Sequence, residues 1–422
     1  MNFKYFINND YFFSVISRVL GVLTGVVYVA LFSRYFGVEL KGESSIILNY
    51  ISIFSIVLDC GINQSYAFFR KNDSNFKSKY IRLIRWMFLL FFVLAFALTL
   101  TCENIIFKTC CLILPIRILT NQINNIILIE TPKKRNLSSI ILNCVDIVLV
   151  LSMWFIVFPS QKVLVDFLFV KEVLYLGIGI FILGRDFLMH CNESVEMLPL
   201  VRFGISVMIC LLMMEINYRI DVIMLNGHAS KYNIGLYSVA VSLAERVWLV
   251  PDALRDILMS KLVKGKNDQE VAKVTRISLA VSVVLVLLIV VFGKLMIWIM
   301  FGKSYIGAYN VTVIVMFGVL SMVFYKTIYA FYNVMGKQKL NVIILSSTAC
   351  LNIIGNFLLI PHFDIYGAAI ASVLSYAFCG IIYLISFSKI TQIPVYEICI
   401  VKISDIRRLF NTLKNKSNTR GN

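Results

Sequence analysis

Six cationic side chains lie inside stretches that are otherwise apolar: Arg18, Arg117, Lys171, Arg219, Arg246 and Lys326. A charge at hydrocarbon depth costs about 2.5–3.5 kcal/mol on insertion scales, so each needs a partner, a water-lined surface or a route to the interface. The cores of these stretches hold four acids: Asp146, Glu172, Glu215 and Glu245. The cationic excess favours an anionic ligand. Arginine suits phosphate best, because its planar fork makes two parallel charge-assisted bonds. Arg117 has no acid three or four residues away, so it must face a polar cavity or pair with another helix. Arg18 also lacks a local acid and either lines a cavity or snorkels to the interface. Lys326 and Arg246 are further candidates for a cationic lining. For Lys326, two turns from the end of its run, snorkelling is equally cheap.

The acids admit two readings. Glu215 and Arg219 are four apart and share a helix face. They form either a self-neutralising pair or a site whose acid is released when Arg219 engages phosphate. Asp221 follows in an Arg-x-Asp pattern and either shares that role or pins a loop. Asp59 and Asp252 stand near the ends of their runs and either cap helices or gate; with Glu215 and Asp221 they are the candidates for a coupling-ion or gating role. Lys171-Glu172 reads as structural, each neutralised by another helix. Soluble-enzyme chemistry finds no support. His190, His228 and His362 are far apart in loops, no Cys-x-x-Cys occurs, and no Gly-Lys-Ser/Thr phosphate loop is present. The expectation is therefore a non-enzyme with no catalytic residue, no metal and no cofactor, with a proton or sodium ion as the candidate driving ion.

The elements that must position these residues are membrane spans. The chain of 422 residues is 59% hydrophobic and 15% charged, against about 25% charged in soluble domains. Apolar runs of about 20 residues, the length that crosses hydrocarbon, predict twelve spans, near 11–33, 45–66, 83–102, 108–130, 138–158, 164–184, 203–225, 233–254, 277–301, 309–332, 340–360 and 366–388. The segments on one side of these spans hold 27 Lys and Arg and those on the other 7. The positive-inside rule makes the first set cytoplasmic, with both termini. That layout also accounts for the net charge of +17 without nucleic acid. The first run is expected to be retained as a helix, because no small-residue cleavage site follows it. After Pro394 a basic tail with apolar residues at helical spacing predicts an amphipathic helix on the inner leaflet to about residue 413.

A repeat runs through the chain. Arg34-Tyr-Phe-Gly37 leads into Lys41-Gly42-Glu43 and a span, as Asp221-Val-Ile-Met-Leu-Asn-Gly227 leads into Ile234-Gly235-Leu236-Tyr237 and a span. Aligning Gly42 with Gly235 also aligns Asp59 with Asp252. The reading is two six-helix bundles of like orientation, 1–190 and 191–388, then a tail, 389–422. Substrate sites of such repeats lie at their interface near mid-membrane.

The motifs resemble a known family. Arg34-Tyr-Phe-Gly-Val-Glu-Leu-Lys-Gly-Glu resembles the first-loop motif of polysaccharide exporters, with Phe36 and Leu40 as departures. Leu58-Asp-Cys-Gly-Ile-Asn, Tyr218-Arg-Ile-Asp-Val-Ile-Met-Leu, Gly235-Leu-Tyr-Ser-Val-Ala and Tyr366-Gly-Ala-Ala-Ile-Ala-Ser extend the likeness in order. Together they are similar to the multidrug/oligosaccharidyl-lipid/polysaccharide (MOP) exporter superfamily, in its O-antigen flippase (Wzx) branch. The resemblance implies an all-α polytopic fold with two bundles forming a V. It implies flipping of an undecaprenyl-pyrophosphate-linked oligosaccharide from the inner to the outer leaflet of a bacterial inner membrane, in lipopolysaccharide biosynthesis. Membrane lipids, an O-antigen polymerase and a chain-length regulator are the implied partners. The competing readings are a drug/cation antiporter on the same fold, which needs acids to outnumber cations, and a polysaccharide-assembly enzyme, which needs a large outer loop.

The charge asymmetry is testable. A cytoplasmic reporter fused after Gly421 is expected to be active, and activity of a periplasm-only reporter there reverses the orientation.

Overall fold

Residues Asp10–Asp59 are continuously helical in their hydrogen bonding. A single rod of 50 residues would reach about 75 Å, more than twice the hydrocarbon thickness. The computed structural model breaks it at Gly37, with φ 75° and ψ 179°. Only glycine adopts that region freely, so Gly37 is required for the backbone rather than for space. Residues on both sides of it, Phe32, Tyr35 and Phe36 with Ile47 and Ile51, enter one buried cluster. Lys41 Nζ lies 5.4 Å from the centre of the Phe32 ring. The chain therefore folds back at Gly37, giving α1 (10–36) and α2 (38–59). The loop expected over 34–43 is one residue long, because a glycine in this conformation turns the chain without a linker.

The structure describes residues 10–402 other than 74, 189–192, 194 and 265–267, together with 405; side chains are described from residue 20, other than those of 72, 132, 133, 256, 257, 259–261, 263 and 264. The helices that follow are α3 (Ile62–Asn72), α4 (Phe76–Thr101), α5 (Ile105–Glu130), α6 (Pro132–Ile156), α7 (Gln161–Leu183), α8 (Arg185–Leu188) and α9 (Met197–Leu225). Beyond them come α10 (Lys231–Glu245), a 3₁₀ turn (Arg246–Trp248), α11 (Leu249–Lys264), α12 (Asp268–Phe301) and α13 (Ala308–Val334). The helical stretch Gln338–Thr391 is broken at Asp364, φ 51°, into α14 (338–363) and α15 (365–391). A short α16 (Val395–Cys399) follows. Among the described residues there is no strand.

The α14–α15 hairpin is explicit in its pairings. Tyr383 OH donates to Asn341 Oδ1 at 2.7 Å, and Asn352 Nδ2 donates to Ser375 Oγ at 2.9 Å. A Cβ on Gly367 would strike the Leu359 backbone. As one number rises the other falls, so the helices are antiparallel about residue 363. Asp364 makes the reversal at φ 51° and ψ −131°, outside the left-handed helical well that Asp tolerates, so the backbone there is strained. The loop expected at 361–366 is again a single break.

Among the described residues nine helices are long and apolar enough to cross a membrane. Two of these stretches each hold two helices, split at Gly37 and Asp364. The 23-residue α7 carries Asp166, Lys171 and Glu172 on an otherwise apolar helix. Counting each segment, twelve helices of spanning length emerge, in an all-α, multi-pass membrane fold.

The chain divides into two compact units, one holding residues up to Leu236 with Trp298–Tyr305, the other Tyr237–Ile297 with residues from Ile306 onward. The first has two cores. One joins α1, α2, α5, α6 and α7 through Phe32, Ile47, Ile113, Val150 and Phe167. The other joins α3, α4, α5 and α9 through Tyr66, Tyr80, Ile123 and Leu200. Small residues permit the closest approaches. A Cβ on Gly42 would overlap the Lys231 carbonyl, and one on Gly235 the Val38 carbonyl. In the second unit α13 and α15 run alongside each other in one direction: Gly380 abuts the Ser321 backbone, Tyr325 packs on Tyr383 and Phe331 on Phe387.

The end of the described chain is fastened to α12. Arg276 Nε and Nη2 donate to Asp405 Oδ2 and Oδ1 at 2.5 and 2.9 Å, and Nη1 donates to Glu397 O at 3.2 Å. Both charged side chains are buried. The guanidinium holds the Asp405 carboxyl below its ordinary pKa. Of the tail helix expected after Pro394, the structure shows the short α16, which ends at Cys399, and the remainder to residue 413, other than residues 400–402 and 405, lies outside the described residues.

Removing one partner of a buried pair strands the other and costs about 3–5 kcal/mol. Arg276→Gln is expected to lower the thermal midpoint of the purified protein clearly, and Arg276→Gln/Asp405→Asn to lower it less. Because the Asp405 pKa is depressed on folding, the pair stabilises above the unfolded value of about 3.9 and is lost as pH falls through the folded one. The acid-side decline in midpoint is expected to be shallower in Asp405→Asn.

Candidate functional site

The charges buried at membrane depth in the first unit are matched across helices. Lys171 and Glu172 are sequence neighbours on α7 and so point about 100° apart. Each reaches a different helix. Glu172 Oε1 meets Arg117 Nη2 of α5 at 3.0 Å. Lys171 Nζ meets Asp146 Oδ2 of α6 at 2.9 Å and donates to Tyr28 OH of α1 at 3.1 Å. Tyr175, one turn after Lys171, donates to Asp146 Oδ2 at 2.6 Å. The ammonium lies 4.3 Å from the Tyr28 ring centre and 5.3 Å from that of Tyr175, within cation–π range. Two cations and two carboxylates on α5, α6 and α7 thus cancel, which lowers the cost of burying all four.

The balance is incomplete at the atomic level. Asp146 Oδ1 and Glu172 Oε2 are buried with no hydrogen-bond partner. The Arg117 side chain is 28% exposed while that of Glu172 is 2% exposed. The cluster therefore offers a guanidinium that keeps donors towards open space and carboxylates with spare acceptor capacity.

A second pair lies on α9. Glu215 Oε1 and Arg219 Nε stand 3.5 Å apart, and Ser52 Oγ of α2 donates to the same carboxylate oxygen. Both charged side chains are half-buried. Asp221, one half-turn on, is buried, and its Oδ1 accepts the Val222 N–H at 2.7 Å. Asn217 on the same helix is buried with both amide atoms unpartnered.

Asp59 closes α2. It is buried, and it accepts the Asn63 N–H of α3 at 3.2 Å and the side-chain amide of Gln122. Tyr80 OH donates to the Gln122 carbonyl oxygen, which turns the amide nitrogen towards Asp59. In the second unit Asp252 holds two cations, Arg255 at 2.9 Å and Lys326 at 3.4 Å. Lys326 also lies 4.9 Å from the Trp248 ring centre, and Trp248 Nε1 donates to Val319 O at 3.0 Å. Arg246 is half-buried in the 3₁₀ turn, beside Glu245.

The structure thus brings Arg117 to Glu172, Arg219 to Glu215 and Lys326 to Asp252. The backbone at Arg18 is helical, and its side chain lies outside the described residues. Sequence reasoning did not single out Tyr175, Ser52, Gln122 or Tyr80. The usable signal was their polarity within apolar runs, but which helix each reaches depends on packing. Among the described residues no cluster of three His, Cys, Asp or Glu side chains forms a metal site.

No family model matches the chain. An uncharacterized membrane protein of Methanocaldococcus jannaschii is 31% identical over 154 residues, 36% of this chain and 30% of that protein's length. Solved structures cover far more. The lipid II flippase MurJ in an inward closed conformation superposes with a TM-score of 0.70 over 92% of this chain and 88% of its own, at 15% identity. An inward-facing multidrug resistance MATE family transporter of the MOP superfamily gives 0.67 over 89% and 96%, at 13% identity. A MOP superfamily transporter from Pyrococcus furiosus, titled for the reversed polarity of its binding pocket, gives 0.54 over 90% and 93%, at 11%. The fold is that of the MATE and MurJ transporters of the MOP superfamily.

Proposed function

We propose that this chain is a flippase for a lipid-linked oligosaccharide, in which Arg117 and Arg219 take the pyrophosphate. The observation that carries the reading is Arg117: a guanidinium in the middle of a spanning helix, held by one carboxylate and partly exposed. Pyrophosphate and sugars cannot cross hydrocarbon unaided, whereas the lipid tail never has to leave it. A protein that moves such a molecule needs a polar, cationic path inside the membrane. The cationic excess within the spans and a fold shared with a lipid II flippase both support this.

The ion pairs supply a means of release. A guanidinium that gives up Glu172 or Glu215 to bind phosphate leaves a carboxylate ready to re-pair when the phosphate departs. Binding is then an exchange of anions rather than a one-way capture, and the affinity stays low enough for turnover. In this reading the substrate is an undecaprenyl-pyrophosphate-linked O-antigen unit, the membrane is a bacterial inner membrane with both termini cytoplasmic, and the bundles 1–190 and 191–388 rock about the site. Arg18, Arg246 and Lys326 extend the cationic lining, and Glu215, Asp221, Asp59 and Asp252 serve coupling or gating. A drug/cation antiporter needs acids to outnumber cations in the cores of the spans, and there the cations are in excess, with Asp146, Glu172 and Glu215 each holding a cation.

Arg117→Gln is expected to abolish assembly of the surface polymer with unchanged protein in the membrane. Arg117→Lys keeps the charge without the fork and is expected to leave partial function. Normal polymer in Arg117→Gln makes Arg117 structural and removes the reading's main residue.

A further inference from the structure

Three consecutive residues near the end of α1 are each tied to another element of the first unit. Tyr305 OH, in the turn after α12, donates to Ser33 O at 2.9 Å. Tyr35 OH donates to Val157 O, just past α6, at 2.8 Å. Between them Arg34 Nε donates to Met300 O at 3.1 Å and Nη2 to Ile299 O at 2.5 Å. Those carbonyls belong to the last turn of α12, which the helix itself leaves without partners. The bonds on either side fix the backbone of Arg34, so its guanidinium is held at one place.

Capping α12 uses only part of what Arg34 offers. A guanidinium has five N–H donors, and these two bonds leave three. Both acceptors are neutral, and among the described residues no carboxylate pairs with it. Arg117, Lys171, Arg219 and Lys326 each have one. The C-terminus of a helix carries about half an elementary negative charge, so the cation is offset only in part. Arg34 is exposed and stands between two clefts. One, of about 580 Å³, is lined by Arg34 with Trp298, Ile299, Ser304 and Tyr305. The other, of about 300 Å³, is lined by Arg34 with Tyr35, Trp154, Phe155 and Phe158.

The surroundings of the clefts are apolar and open. Phe155 and Phe158 are 87% and 91% exposed, and Trp298 and Ile299 are about half exposed. Trp154 and Trp298 are two of the four tryptophans in the chain. Tryptophans at the ends of spanning helices mark the depth of lipid headgroups. The anion at that depth is the headgroup phosphate, whose oxygens match the arginine fork. The segments at this end, 34–43, 159–166 and 294–308, belong to the set that holds 7 Lys and Arg against 27. Arg34 is therefore not one more cation on a diffuse basic surface. We propose that Arg34 and its two clefts are a site for one anionic phospholipid, with the phosphate on the guanidinium and the acyl chains against Trp154, Phe155, Phe158 and Trp298. A soluble phosphate would gain nothing from those aromatic rings, so the lipid is the occupant. The site shares no residue with the Arg117 cluster and does not depend on the identity of the transported molecule.

The experiment is quenching of tryptophan fluorescence in the full-length protein, reconstituted in phosphatidylcholine vesicles, by phosphatidylglycerol or phosphatidylcholine brominated in the acyl chains near the headgroup. Trp86→Phe is the background for every measurement, because Trp86 is exposed beside the basic segment 67–86; Trp248 is buried. The quenching then reports on Trp154 and Trp298. Brominated phosphatidylglycerol is expected to quench with about fivefold the apparent affinity of brominated phosphatidylcholine, the equivalent of about 1 kcal/mol for one cation at a lipid surface. Arg34→Gln is expected to bring that ratio to one. Because Arg34 also caps α12, Phe158→Glu is the second variant. It leaves the cap intact, places a carboxylate in the same cleft at an exposed position, and is expected to remove the preference as well. Equal affinities of the two lipids for the unsubstituted site overturn the proposal. A preference that survives Arg34→Gln, or survives Phe158→Glu where Arg34→Gln does not fold, places the anionic lipid elsewhere and overturns it. A preference that soluble glycerol phosphate abolishes assigns Arg34 to a free phosphate and overturns the lipid.

Discussion

A charge inside a membrane is costly without an opposite charge beside it, and much of the first unit is arranged by pairs that meet between helices. Lys171 and Glu172 cannot neutralise each other, because neighbours on a helix diverge by about 100°. Asp146 on α6 and Arg117 on α5 therefore have to face α7. Tyr28 adds α1 to the same cluster. Four helices are tied by polar contacts that hydrocarbon makes expensive to lose and lipid cannot replace. The apolar cluster around Phe32, Ile113 and Phe167 then fills the space these contacts define.

Close backbone approach is the second organising feature. Gly42 and Gly235 admit each other's neighbouring carbonyls, Gly61 meets Gly204, and Gly380 meets Ser321. Lipid is as apolar as leucine, so helices in a membrane gain little from apolar burial and rely on van der Waals contact and hydrogen bonds. Small residues make that contact possible. The Asn341–Tyr383 and Asn352–Ser375 bonds do the same for the α14–α15 hairpin.

The charged side chains divide into locked and open ones. Lys171 and Asp146 are enclosed by two tyrosines and read as a fixed strut. Arg117 and the Glu215–Arg219 pair are partly open, although Glu172, the partner of Arg117, is buried. Asp59 belongs to neither group, since its hydrogen-bond partners are neutral.

Hydropathy and loop charge determined the helical class, the succession of spans and the candidates at depth, because hydrocarbon permits few alternatives to a helix of about 20 apolar residues. The sequence also marked Gly42 and Gly235 as equivalent positions, though not that their segments touch. Span ends were less legible. The reversals at Gly37 and Asp364 occupy one residue where loops of several were expected, because a single residue's backbone angles decide them and hydropathy averages over many. The pairing of charges was decided by tertiary structure alone. Arg117 carries no local acid, and Glu172 reaches it only because α5 and α7 pack side by side. Asp59 and Asp252 align in the repeat yet differ in surroundings, one among amides and the other between two cations. The chemical type of a residue is local, whereas its partner is set by which helices touch.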